Sequence, residues 1–284
     1  MKSDNDSNKR SFLDFFKRRL GGNRSGICHR DLYLEISNFQ GIGRRRQQED
    51  SFYVSDYNNV EMIEERGFLA VVADGMGGMM NGAEMSAVVT RAAMEFYEKV
   101  LPFHLGDGTE ELQSMLSFID GRAKQLQQES DEDESGSTLL AALIRGNRLH
   151  FLAVGDSRIY LLRAGKMYQL NREHNVKSKM IERLAKEEID LESYQDIIGK
   201  SGLTSYIGIE ELDLYDVSLR PLLLEKNDIL LLASDGVFGT LSEETMKRIL
   251  QSEAGNAAKN MREAIEQAAN PKQDNYTGVI IKCK

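Results

Sequence analysis

Phe68-Leu69-Ala70-Val71-Val72-Ala73-Asp74-Gly75-Met76-Gly77-Gly78 is an apolar run that ends abruptly in a carboxylate and a glycine cluster. Six apolar or small residues bounded by turn formers read as a buried strand, which puts Asp74 where the strand leaves the core and holds its carboxylate rigidly at a rim. The glycines that follow permit tight backbone geometry, including positive φ, and let a ligand approach the main chain. A carboxylate on a stiff strand before an open glycine turn suits a hard cation.

The pattern returns elsewhere in the chain. Asp228-Ile-Leu-Leu-Leu-Ala-Ser-Asp235-Gly236 is a second apolar run that breaks at Asp-Gly, and Gln47-Gln48-Glu49-Asp50 abuts the strand-like Ser51-Phe52-Tyr53-Val54. Asp274-Asn275-Tyr276-Thr277 opens onto Gly278-Val279-Ile280-Ile281. Any one such Asp is ordinarily a turn former. Together these acids make an oxygen-only donor set without His or Cys, the kind that Mg2+ and Mn2+ take.

Composition narrows the classes. The length of 284 residues, without an evident repeat, fits one large domain or two small ones. A net charge of −9 argues against a general nucleic-acid binder, because phosphate backbones would be repelled. Cys28 and Cys283 lie near opposite termini without metal-type spacing, so a reduced cytoplasmic setting is expected rather than a disulfide framework. No apolar stretch approaches the roughly 20 residues of a membrane span, and no signal-peptide pattern opens the chain. Residues 1–30 form a polar extension in which Phe12, Leu13, Phe16 and Leu20 would share a helical face opposite Asp14, Lys17 and Arg18. This basic amphipathic segment, residues 11–20, could touch a membrane surface. A disordered tail with a chance cluster is the favoured reading, since so short a helix is marginal in water.

Along the body, helices are expected over 83–100 and 110–128, and consecutive helices between strands argue against a simple alternating parallel sheet. Glycine-bearing turns at Gly146, Gly155 and Gly165 divide 138–170 into a meander, hence antiparallel pairing. The acidic run 129–134 reads as a solvated loop, and 179–188 as a mostly exposed helix. Ser242 before Glu243 and Glu244 starts a helix, a second spans 257–269, and 277–282 closes the chain as a strand. Ser137 and Thr138 lack a partnered base and read as core hydroxyls rather than nucleophiles.

Taken in order, Arg45 ahead of Glu49-Asp50, Asp74-Gly75-Met76-Gly77-Gly78, Ser135-Gly136-Ser137-Thr138, Gly155-Asp156-Ser157-Arg158, Leu203 to Gly208, Ser234-Asp235-Gly236 and Asp274-Asn275-Tyr276-Thr277 resemble the motifs of the PPM family of metal-dependent protein serine/threonine phosphatases, the protein phosphatase 2C type, in its bacterial branch. The resemblance runs from about Leu32 to Ile281. It implies an α+β fold in which two antiparallel β-sheets pack as a sandwich flanked by helix pairs, formed by 31–284, with a substrate-sorting flap at about 172–208. It implies hydrolysis of phosphoserine and phosphothreonine in proteins by a water activated between two Mn2+ or Mg2+ ions. Asp74 would bridge the ions, with a carbonyl from Gly75, Glu49 would serve one ion, and Asp235 and Asp274 the other. Asp50 would orient the water, and Arg45, or Arg46 in a shifted register, would bind phosphate. Asp133 would help hold a third ion.

Neither cysteine has an arginine six places on, in keeping with a path that has no covalent phosphoenzyme. Met76 replaces the histidine of the animal enzymes, which leaves metal-bound water to protonate the leaving alkoxide. Asp156 and Arg158 read equally well as a structural pair and are not placed among the ligands. Expected partners are phosphoproteins made by a cognate kinase, with no nucleic acid and a monomeric chain. The alternative is a catalytically weak or inactive regulatory module of the same fold, whose mark would be loss of a metal acid, and none is lost.

Overall fold

The run at 68–76 is apolar on both faces because it has a layer on each side. Phe68, Ala70 and Val72 point into the core between two sheets, whereas Leu69, Val71 and Ala73 face helices. Alternating side chains make a strand covered on both faces read as one continuous hydrophobic run. The computed structural model describes residues 32–76, 81–101, 108–130, 135–192, 194 and 202–284. Segment 11–20, Gly77, Gly78 and Asp133 lie outside the described residues.

The strands are β1 (Leu34–Gly41), β2 (Asp50–Val54), β3 (Phe68–Met76), β4 (Gly136–Ser137), β5 (Leu139–Arg145), β6 (Arg148–Val154), β7 (Arg158–Arg163), β8 (Lys166–Gln169), β9 (Asp216–Val217), β10 (Leu222–Leu223), β11 (Ile229–Ala233) and β12 (Tyr276–Cys283). The helices are α1 (Val60–Arg66), α2 (Asn81–Glu95), α3 (Gly108–Ser130), α4 (Val176–Ala185), α5 (Asp235–Phe238), α6 (Glu243–Leu250) and α7 (Ala254–Gln267). One sheet runs β1-β12-β11-β7-β8, the other β10-β6-β5-β3-β2 with β4 beside β3 and β9 beside β6. The ladders are antiparallel throughout.

Phe68, Leu140 and Ile144 from one sheet meet Leu230, Leu232 and Ile281 from the other in the central layer. The pair α2 and α3 covers one outer face through Met85, Val89, Leu112 and Ile119, and the pair α6 and α7 covers the other through Met246, Ile249, Met261 and Ile265. Each buried Leu or Ile contributes roughly 1.5–3 kcal/mol, so the layers are held mainly by apolar burial. The two-layer sandwich between helix pairs is the expected architecture.

Two local details differ from the sequence reading. The helix expected over 83–100 ends at Glu95 and continues as a wide turn, Phe96–Val100, in which Phe96 and Tyr97 are both buried. Helix α1 was not expected; Asn59 caps it by accepting a hydrogen bond from Met62 N–H at 3.1 Å. No helix among the described residues is long and apolar enough to cross a membrane.

The segment that follows β8 is rooted by charge. Asp216 on β9 accepts from Arg172 N–H at 2.6 Å and from the Arg172 guanidinium at 2.7 Å. His174 is buried, accepts from Gly155 N–H through Nδ1 at 3.2 Å, and sets Nε2 3.6 Å from Asp216 Oδ1, beyond hydrogen-bond length. Burial alone would raise the Asp216 carboxyl, but His174 and Arg172 outweigh it and hold it well below the usual carboxylate range. A depressed acid contributes stability that is present above the unfolded value of about 4 and is lost as pH falls below it. Asp216→Asn should therefore cost about 1.5–3 kcal/mol in urea unfolding at pH 7, the worth of charged hydrogen bonds, with the deficit shrinking below about pH 4. An unchanged unfolding midpoint at pH 7 would remove this anchor from the account.

Candidate active site

Four strand ends meet at one edge of the sandwich. Asp50 starts β2 directly opposite Asp74 on β3, a like-charged pair that is unfavourable unless compensated. Ser234, at the end of β11, donates its hydroxyl to Asp50 Oδ2 at 2.8 Å and so ties one sheet to the other. The buried Asp50 Oδ1 has no hydrogen-bond partner among the described residues. Asp235 follows Ser234 and opens α5, while Asp274 lies just ahead of β12.

The backbone around Asp74 is clamped by the hydroxyls that the sequence placed in the core. Asp74 N–H donates to Thr138 Oγ1 at 3.0 Å, and Ser137 Oγ donates to the Asp74 carbonyl at 3.1 Å. Gly75 is needed for close approach rather than for positive φ. A Cβ there would lie 1.9 Å from Gly82 O and 2.7 Å from Glu49 O, and Gly75 N–H donates to Glu49 O at 3.0 Å. The Glu49 carboxylate lies against Gly82 at the start of α2, with Gln47 donating to its Oε1 at 3.1 Å.

Arg45, not Arg46, makes the charged contact. Its guanidinium donates to Asp274 Oδ2 at 2.5 Å, and this bond, opposed by partial burial and reinforced by Glu49 and Asp235, holds it more firmly protonated than usual. Asn275 had no role assigned from sequence. Its side chain accepts from Glu49 N–H at 2.8 Å and donates to the Ile42 and Gln47 carbonyls at 2.8 and 3.0 Å, fixing the loop that carries Arg45.

Electrostatics gather the acids more tightly than the motifs do. Burial first, then Asp50, Asp235, Asp156 and Asp274, push the Asp74 carboxyl far above its ordinary value. Burial, with Asp156, Asp274 and Asp50, lifts Asp235 to about 7, and burial lifts Asp50 to about 6 against hydrogen bonds that lower it. Asp156, outside the expected ligand set, is thus the largest charge acting on Asp235. Arg158 pairs with Glu173 at 2.6 Å, donates to the Tyr160 hydroxyl at 2.8 Å and lies over the Phe238 ring at 3.9 Å.

Among the described residues no group of three His, Cys, Asp or Glu side chains is placed, as it stands, to hold a metal ion. The carboxylates stand instead as a like-charged ring. Their oxygen-only chemistry, their mutual repulsion and the orphaned Asp50 oxygen all fit hard divalent cations, whose charge would relieve what the protein leaves uncompensated.

The family model for protein phosphatase 2C matches residues 43–268. The serine/threonine protein phosphatase PstP of Mycobacterium tuberculosis is 29% identical over 227 residues, a match spanning 78% of this chain and 42% of that protein, so the chain spans less than half of this relative's length. Protein phosphatase PhpP of Streptococcus pneumoniae is 27% identical over 223 residues, 78% of this chain and 85% of that one. Among solved structures, the catalytic domain of PstP in complex with two manganese ions superposes with a TM-score of 0.68 at 27% identity, covering 89% of this chain and 99% of that one. The S. agalactiae serine/threonine phosphatase, at 24% identity, shares the fold with a TM-score of 0.75 over 89% of this chain and 100% of that one. With most of its length inside the family match and its sandwich superposing on those folds, the chain belongs to the protein phosphatase 2C family.

Proposed function

We propose that this chain hydrolyses phosphoserine and phosphothreonine in proteins, in a cytoplasmic setting and as a monomer, on the products of a cognate kinase. The observation that carries the reading is the set of carboxylates at four strand ends, gathered around Asp50 and Asp74, in which burial and neighbouring acids raise Asp74 and Asp235. Asp74 and the Gly75 carbonyl, with Glu49 on one side and Asp235 and Asp274 on the other, would hold two Mn2+ or Mg2+ ions, and Asp133 would help hold a third. When bound, such ions supply an activated water and neutralise charge on the phosphoryl group.

The chain's own groups do the rest. Asp50, held through Oδ2 by Ser234, would accept a hydrogen bond from the attacking water through its buried Oδ1 and keep it in line. Arg45 spends one N–H on Asp274 and is half-exposed, so its other N–H groups are available to phosphate oxygens. The segment 172–208 is the flap that sorts substrates. Water attacks phosphorus directly, so no side chain is phosphorylated and no nucleophilic Cys is required. The one cysteine among the described residues, Cys283, is buried with its thiol pushed up to about 12, chiefly by burial, and is inert.

Incubation with a phosphothreonine peptide and with single-stranded DNA, each with Mn2+ or EDTA, tests the reading. Phosphate release from the peptide alone, abolished by EDTA, is the expected result. Cleavage of DNA would make the chain a nuclease, and tight peptide binding without release would make it a regulatory module.

A further inference from the structure

The acidic site carries a rim of the opposite charge. Arg44, Arg45 and Arg46 are consecutive and exposed, on a turn locked to the segment before β12. Arg44 N–H donates to Gln273 O at 2.8 Å, and Gly43, at φ +60°, leaves no room for a side chain against Asp274 O. Lys272 is exposed on that adjoining loop. Arg45 is paired with Asp274 and Arg262 with Glu266, yet among the described residues no ion pair engages Arg44, Arg46 or Lys272. A groove of about 290 Å³ borders the rim, lined in part by Arg44, Arg262, Asn270 and Tyr276.

Uncompensated cations grouped on a rigid turn repel one another, and this chain has a net charge of −9. Such a patch, in a chain of net negative charge, draws incoming anions to this edge. It also sits where an incoming anion would otherwise meet the field of the carboxylate ring. Resting on the reading of Arg45 as the phosphate-binding arginine, we infer that the Arg44, Arg46 and Lys272 rim selects phosphopeptides whose neighbouring residues are anionic, either acidic side chains or a second phosphate. Residues of an extended peptide are about 3.4 Å apart, so charges one to three places from the phosphoresidue fall along the rim and groove.

The test compares kcat/KM with Mn2+ for phosphothreonine peptides flanked by Glu, by a second phosphoserine or by Lys, with para-nitrophenyl phosphate as a control without flanks. The wild type should favour the Glu-flanked over the Lys-flanked peptide about 10-fold, as a few exposed pairs supply, through KM and with the preference fading at roughly 0.5 M salt. The Glu and phosphoserine arms tell which anion is preferred. Arg44→Gln with Lys272→Gln should erase the preference, and Arg44→Glu with Lys272→Glu should reverse it towards Lys, both with para-nitrophenyl phosphate turnover unchanged. Equal wild-type values, or a preference that survives charge reversal, overturns the inference and leaves the phosphatase reading intact. Failure to turn over any of these compounds sinks the phosphatase reading instead. Anisotropy of the same peptides, fluorescently labelled and in EDTA, then still decides whether the rim prefers anionic flanks.

Discussion

Asp74→Asn should abolish metal-dependent phosphopeptide turnover while leaving the metal-free protein at least as stable as the wild type. Losing a group that merely orients a ligand costs about 10–100-fold, so if Asp74 is shared by two ions, as proposed, its loss should cost roughly 10³-fold or more. Stability should move the other way. Asp74 is the acid on which burial and four neighbouring carboxylates bear together, and an amide of the same shape removes that repulsion. The clamp on its backbone by Ser137 and Thr138 does not involve the carboxylate and should survive.

Thermal unfolding reads both sides. In EDTA the variant should melt at or above the wild-type temperature. In Mn2+ at about 100 times its dissociation constant, the wild type should gain about 2.7 kcal/mol and the variant far less. A variant that is less stable in EDTA would mean that Asp74 has a structural partner, and retained turnover would mean that it is no ligand.

Gly75→Ala should be the more damaging glycine change. The new methyl would have to displace the Gly82 carbonyl at the start of α2 or the Glu49 carbonyl, and both belong to backbone that cannot swing aside. Overpacking of this kind costs about 1–3 kcal/mol, and a shift of about 1 Å in a reacting centre costs roughly 100-fold in rate. Gly121, in the interior of α3, has nothing within 4 Å of a built Cβ. Gly121→Ala should instead stabilise by about 0.4–1 kcal/mol and leave turnover alone. Equal behaviour of the two variants in chemical unfolding and in phosphate release would contradict the close-approach account of Gly75.

These contrasts show what the sequence could and could not carry. A strand such as β3 is legible because burial on both faces writes itself as an unbroken apolar run, and the acids at its end and at the ends of its counterparts stand out against that run. The antiparallel meander was legible through its glycine turns. Partners distant in the chain were not: Asn275 reaches Glu49 and Gln47, Ser234 reaches Asp50, and Asp216 holds Arg172, all by hydrogen bonds whose ends only the fold brings together. The charge that Asp156 adds to Asp74 and Asp235 is hidden for the same reason, since its motif names the residue but not its neighbours in space. For Gly75 the sequence suggests close approach to the main chain, but only the fold shows that the Gly82 and Glu49 carbonyls are what crowd it.

Carboxylates from four strand ends are proposed to share divalent cations, and anomalous diffraction from crystals grown with Mn2+ tests this most directly. Two strong peaks between Asp74 and its neighbours Glu49, Asp235 and Asp274 are the predicted result. Manganese located elsewhere, or no peak at this edge in crystals of protein that releases phosphate, would contradict it.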